Sequence, residues 1–173
     1  MQPEQLRIQL VEIYTLLSRA PLNKEYYGVM LSRNQRLSTW FDTLIAIGTT
    51  GSGLSALTIW NTYYGAFIWG ILSAASAVLA LTKPIIQLNK KVERLSRLFV
   101  GHSDNYASLL ILVSRIKRRG ILTEEMLANF EASELRFLEL AKEDDPTPDR
   151  ALVERCEETV RRRHPPESAW YPT

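Results

Sequence analysis

The sequence predicts an all-α membrane protein. It reads as a two-transmembrane helical hairpin extended by long cytoplasmic helices, with additional short cytoplasmic helices. Three observations predict this. Two uncharged apolar runs, residues 44–60 (LIAIGTTGSGLSALTIW) and 65–81 (GAFIWGILSAASAVLAL), are separated only by Asn61, Thr62, Tyr63 and Tyr64. Trp40, Trp60, Tyr63, Tyr64 and Trp69 cluster near the ends of those runs. Beyond them, apolar residues recur in steps of four and three from Leu88 to Ile116.

Bulk composition conceals this pattern. A mean hydropathy of −0.11 is that of a soluble protein, but the apolar residues are concentrated in the first half of the chain. A net charge of +2 over 173 residues is not that of a polycation built to coat nucleic acid, so no nucleic-acid partner is expected. One cysteine, Cys156, can form neither an internal disulfide nor a cysteine-based zinc site, and it fits a reduced compartment. MQPEQLRIQL lacks the basic and apolar regions of a cleavable signal, so the first span is expected to serve as the membrane address.

In chain order, residues 1–22 predict an amphipathic helix with Leu6, Leu10, Ile13 and Leu17 on one stripe, broken at Ala20-Pro21-Leu22-Asn23. Residues 23–120 predict the hairpin and its cytoplasmic extensions, with spans at about 42–61 and 64–82. Tyr27, Met30, Asn34, Leu37 and Phe41 form a seam leading into the first span. Each uncharged run is near the minimum of about 17 residues needed to cross a ~30 Å hydrocarbon core. The short link forces antiparallel helices. A buried hairpin in a water-soluble core would not require amphipathic rings at its ends, whereas the headgroup zone favours them. The link carries no Lys or Arg. Lys24, Arg33 and Arg36 precede the first span, and Lys83, Lys90, Lys91, Arg94 and Arg97 follow the second, which predicts both termini on the cytoplasmic side.

The spans are rich in small and hydroxyl-bearing residues. Gly48, Ser52, Ser55 and Thr58 or Ile59 share one face of the first, and Ala66, Gly70, Ala74 and Val78 follow i, i+4 steps along the second, with Ser73 and Ala77 beside them. Two readings stand. Small residues at this spacing let helix backbones approach closely, within the hairpin or between subunits. Alternatively, Thr49, Ser52, Ser55, Ser73 and Ser76 line a watery path, which requires an oligomer because one hairpin encloses no pore. Hydroxyls can also bond back to their own helix. Asp42, at the mouth of the first span, must reach water or a cation such as Arg36 or Lys83, or form an acidic ring at a pore mouth. GTTGSG lacks the Lys-Ser/Thr ending of a phosphate loop and reads as helix packing.

After Pro84, which is expected to kink the chain at the membrane surface, Leu88, Val92, Leu95, Phe99, His102, Tyr106, Leu109, Val113 and Ile116 predict one long helix with a heptad seam, stopped by Gly120. Residues 121–163 predict two further helices. Thr123 caps the first, Glu124 and Glu125 fill its first turn, and Met126, Phe130, Phe137 and Leu140 form its apolar face. EDDPTPD ends it. Thr147-Pro148 predicts the N-cap and first residue of the second, which ends near Arg163, and residues 164–173 predict an extended tail. The acidic stretch 124–145 lies between basic clusters at 115–119 and 161–163, on which it could fold back.

Catalytic chemistry is missing. His102 lies on the seam, where a buried, hydrogen-bonded imidazole is the usual role, and His164 lies beside Pro165. Neither has a partner at metal-ligand spacing, and no nucleophile-elbow, kinase or metalloprotease signature occurs. No enzyme activity, cofactor or metal is expected.

The layout of YYGVMLSRNQRLSTW, two spans split by a few residues, and a long helix opening with Lys83-Pro84 and continuing LNKKVERLSRLFVGHSDNYASLLILVSRI resembles the SLATT family, two-transmembrane effector domains associated with SMODS nucleotide synthases and SLOG sensors. The resemblance runs from about residue 4 to residue 160 and is one of architecture. It implies a bacterial antiphage effector that forms homo-oligomers in the lipid bilayer and breaches the inner membrane. The trigger it implies is a nucleotide second messenger or a partner synthase or sensor. No ligand-binding residue carries over. The expected candidates for pore lining or helix packing are Asp42, Gly48, Thr49, Ser52, Ser55, Gly70, Ser73, Ala74, Ser76 and Ala77. A non-conducting scaffold and a small constitutive channel remain as other classes.

Overall fold

The computed structural model describes residues 3–50 and 63–164. Among these the chain is all-helical: α1 Pro3–Thr50, α2 Tyr63–Ile86, α3 Leu88–Arg119, α4 Glu124–Lys142 and α5 Arg150–Arg163, with no strand. Among the described residues no helix is long and apolar enough to cross a membrane. The first expected span leaves the described residues after Thr50, and several side chains of the second, including Ser73, lie outside them. The tail beyond His164 also lies outside them.

Three boundaries differ from the sequence reading. The expected break at Ala20–Asn23 is absent, and α1 continues through Pro21. Proline removes one helical hydrogen bond and crowds the preceding turn. Here the adjoining Ala20 and the following Tyr26 and Tyr27 are buried, and that packing offsets the defect. The long helix expected after the second span is present as α3, but the kink expected at Pro84 falls elsewhere. Pro84 lies inside α2, and the break falls at Gln87, whose φ of 49° is left-handed. A non-glycine residue is disfavoured there by roughly 1–2 kcal/mol. The Gln87 carbonyl accepts from the Lys91 amide at 3.0 Å, which starts α3.

The third difference is at the last helix, where Asp149 replaces Thr147 as N-cap. The Asp149 carboxylate accepts from the Leu152 amide at 3.3 Å. Thr147 is engaged in a local turn, its amide donating to Asp145 Oδ1 at 3.1 Å. Asp149→Ala is expected to destabilise α5 by ~1 kcal/mol, read as a lower thermal midpoint by circular dichroism, whereas Thr147→Ala should move it less.

The expected caps elsewhere are present. Thr123 Oγ1 accepts from the Met126 amide at 3.3 Å to open α4. Gly120, at φ 66°, closes α3 in a left-handed conformation that costs glycine little.

The chain divides into two compact units, one made of Met1–Met30 with Leu95–Thr173 and the other of Leu31–Arg94. The N-terminal stretch therefore belongs with α4 and α5. In the first unit Ile13, Ala20, Leu109, Leu112, Val113, Ile116, Met126 and Phe130 form one apolar core. The seam of α3 is on its buried side, with Leu95, Leu98, His102, Leu109, Val113 and Ile116 all buried. Gly101 packs closely on α4, where a Cβ would lie 2.5 Å from Leu140 Cδ2 and that side chain would have to turn aside.

Candidate functional site

Among the described residues of the second unit, large apolar side chains face outward along with charged ones. Its buried side chains include Asn34 and Ser76 beside Leu88, whereas Leu37, Trp40, Leu44, Ile47, Phe67, Ile71, Val78 and Leu81 are exposed. Trp40, Phe67, Val78 and Leu81 are between 63 % and 71 % exposed. In water, large apolar side chains turn inward because each one buried gains about 1.5–3 kcal/mol. Leu37 was expected on the inner seam. At 100° per residue it lies about 80° around the helix from Tyr27, and it is exposed.

Polar groups in this unit are satisfied locally. Ser76 Oγ donates to the Leu44 carbonyl at 3.1 Å, joining the two helices. Thr39, Thr43 and Thr82 donate back to the Gln35, Thr39 and Val78 carbonyls of their own turns at 3.0, 2.8 and 2.7 Å. Ser38 Oγ lies 3.4 Å from Asn89 Oδ1.

The ten sequence-predicted residues separate accordingly. Ser76 is a helix-packing residue within the hairpin. Gly70, Ala74 and Ala77 are exposed, and a Cβ placed at Gly70 meets nothing within 4 Å. Among the described residues, then, Gly70 meets no close neighbour. Asp42 is exposed on α1. The side chains at Gly48, Thr49 and Ser73, and all of Ser52 and Ser55, lie outside the described residues.

A buried polar cluster in the first unit went unread in the sequence. Asp144, in the turn after α4, meets His102 Nε2 at 3.3 Å. The Tyr27 hydroxyl donates to the Asp144 carboxylate and accepts from the Asp145 amide at 3.2 Å. The Tyr27 ring stacks on the His102 ring, with centroids 5.2 Å apart and planes within 2°. Next to it, the Tyr26 hydroxyl accepts from the Asp149 amide at 3.3 Å. Two adjacent tyrosines thus hold both ends of the Asp145–Asp149 turn to α1. His102 is the buried, hydrogen-bonded imidazole expected on the seam, but its partners Tyr27 and Asp144 were not legible, since neither half of the pairing specifies the other.

Burial, followed by the hydrogen bond to Asp144, pushes the Tyr27 hydroxyl well above its usual pKa of 10. Burial raises Tyr26 too. A tyrosine whose folded pKa exceeds its unfolded value contributes stability that is intact below pH 10 and is lost as pH rises toward the folded value. Alkaline titration is therefore expected to lower the thermal midpoint above pH 10. Tyr27→Phe should flatten that alkaline slope while costing about 1 kcal/mol at neutral pH for the lost hydrogen bonds.

The acidic stretch meets the 115–119 cluster at Arg115, and a basic residue outside both clusters at Arg97, in each case at the surface. Arg97 lies 3.6 Å from Glu143 and Arg115 4.0 Å from Glu125, all four well exposed. Exposed pairs of this kind contribute about 0–1 kcal/mol. The Arg163–Glu25 pair, at 2.8 Å, ties α5 to α1.

The chain matches no family model, no curated protein and no solved structure.

Proposed function

We propose that residues 31–94 insert in a lipid bilayer as a two-span hairpin with both termini on the cytoplasmic side of a bacterial inner membrane. We further propose that the chain is an effector of the SLATT type. On this reading it oligomerises, and in response to a nucleotide signal or partner sensor it forms a pore or otherwise disrupts that membrane. The observation that carries the membrane part is the apolar outward surface of the described part of α2, with Phe67, Ile71, Val78 and Leu81 exposed and Ser76 buried against the Leu44 carbonyl. A bilayer is the solvent that favours such an exterior, and it requires polar groups to be satisfied inside. The uncharged runs 44–60 and 65–81 extend past the side chains described. The effector part rests on the family resemblance and on the long amphipathic α3.

The test is membrane potential, followed with a voltage-sensitive dye in cells expressing the chain alone and with its genomic neighbours. Depolarisation that Ser52→Leu with Ser55→Leu abolishes, while the protein still reaches the membrane, supports a hydroxyl-lined assembly. A potential that stays intact with neighbours and infecting phage present moves the reading to a non-conducting scaffold. One observation favours that second reading: α4 carries Leu135 and Leu138 on its exposed side, where a cytoplasmic partner could seat.

A further inference from the structure

Helix α4 is apolar on two sides. Met126, Phe130 and Ser133 are buried on one, and the first two belong to the core of the first unit. One such face is all that a surface helix needs. Yet Leu135 and Leu138 are 63 % and 53 % exposed. At 100° per residue Leu135 lies about 140° around the helix from Phe130, on the outward side. Ala128, Glu131, Leu135, Leu138 and Lys142 follow one another in steps of three and four, and all are exposed. That is the spacing of a coiled-coil seam.

The charges on this seam specify what fits it. Let α4 of a second copy run antiparallel to the first, with Leu135 of each against Leu138 of the other. Glu131 of each copy then meets Lys142 of the other, because both pairs are centred on the same point of the helix. Two leucine layers are closed at each end by an ion pair. On the flanks Ala132 comes opposite Glu139 and Glu134 opposite Ala141, so no two carboxylates face each other. A parallel pair would set Glu131 against Glu131 and Lys142 against Lys142, like charges in both layers. Within one chain Glu131 and Lys142 form no ion pair among the described residues.

We propose that the outward face of α4 is a docking surface for a second copy of this chain. The two α4 helices pair antiparallel across a twofold axis through Leu135 and Leu138, and Glu131 and Lys142 exchange ion pairs at either end. The proposal rests on the reading of the chain as an oligomer and names one of its contacts. A twofold contact is self-complementary and closes at two copies, so any larger assembly needs a further surface. One helix pair is small beside the roughly 1,200–2,000 Å² of stable soluble interfaces, so the dimer is expected to be reversible.

The measurement is sedimentation equilibrium of the full chain in density-matched detergent micelles, with circular dichroism on every variant to check its helices. A concentration-dependent dimer is expected. Glu131→Lys and Lys142→Glu should each weaken it by about tenfold, since two ion pairs become two like-charge pairs. The double exchange, Glu131→Lys with Lys142→Glu, should restore it. Leu135→Glu should abolish it and leave the helical signal unchanged. Rescue by the double exchange marks the antiparallel register. A dimer weakened by both single exchanges and not restored by the double one is parallel, and overturns the proposal. An assembly that survives Leu135→Glu also overturns it, but leaves the oligomer reading standing on another surface. A chain that stays monomeric at about 0.1 mM overturns both and leaves the two leucines to a foreign partner. A dimer with the expected responses, in a chain that leaves the membrane potential intact, supports the α4 contact and overturns only the effector reading.

Discussion

Replacing Ile71 with lysine is expected to release the chain from the membrane fraction. Ile71 is 55 % exposed on α2 and lies well inside the uncharged run 65–81. Lysine near the centre of a spanning helix costs about 2.5–3.5 kcal/mol, whereas isoleucine contributes about −0.3 to −0.6 kcal/mol. The exchange therefore opposes insertion by ~3–4 kcal/mol, enough to matter for a span only just long enough to cross. In water the same substitution, at an exposed site, would stay within about 0.5 kcal/mol. The two environments thus give opposite outcomes. The measurement is the fraction of chain that resists alkaline carbonate extraction. Leu135→Lys, on the exposed side of α4, should leave that fraction unchanged. If Ile71→Lys partitions like the unaltered chain, α2 is not in hydrocarbon and the membrane proposal fails.

Leu109→Ala is expected to cost about 2–5 kcal/mol, the range for large-to-small substitution at a fully packed site. Leu109 is 0 % exposed on α3 and belongs to the cluster that joins α1, α3 and α4. Its loss leaves a cavity against Ile13, Val113, Met126 or Phe130 that rigid helices close only in part. The readout is the thermal midpoint of the helical signal in mild detergent, with Leu138→Ala as an exposed control expected within about 0.5 kcal/mol. A Leu109→Ala chain that melts with the control would mean that the first unit is not held by this core.

Much of the helical content was legible because it rests on periodicity and local chemistry. The α3 seam could be read from 3.5-residue spacing alone, and the residues so placed are buried or half-buried. Thr123 and Gly120 could be read because a cap is a local hydrogen bond or a local dihedral. Thr147 was misplaced because two capping residues compete within three positions, and only the Asp145 turn decides between them. Pro21 was misread as a break because a lone proline is unfavourable in a helix, whereas its surroundings here are buried.

The sequence by itself determined the helices, most of their caps, and the two uncharged runs, since propensity, capping and hydropathy act over a few residues. Only the tertiary structure decided which faces are inside. It set Ser76 against Leu44, thirty-two residues away. It brought Tyr27 to Asp145 across 118 positions and Tyr26 to Asp149 across 123. Each of these is a contact between side chains or turns distant in sequence. Their energies depend on how whole helices pack, and no local pattern in the chain encodes that.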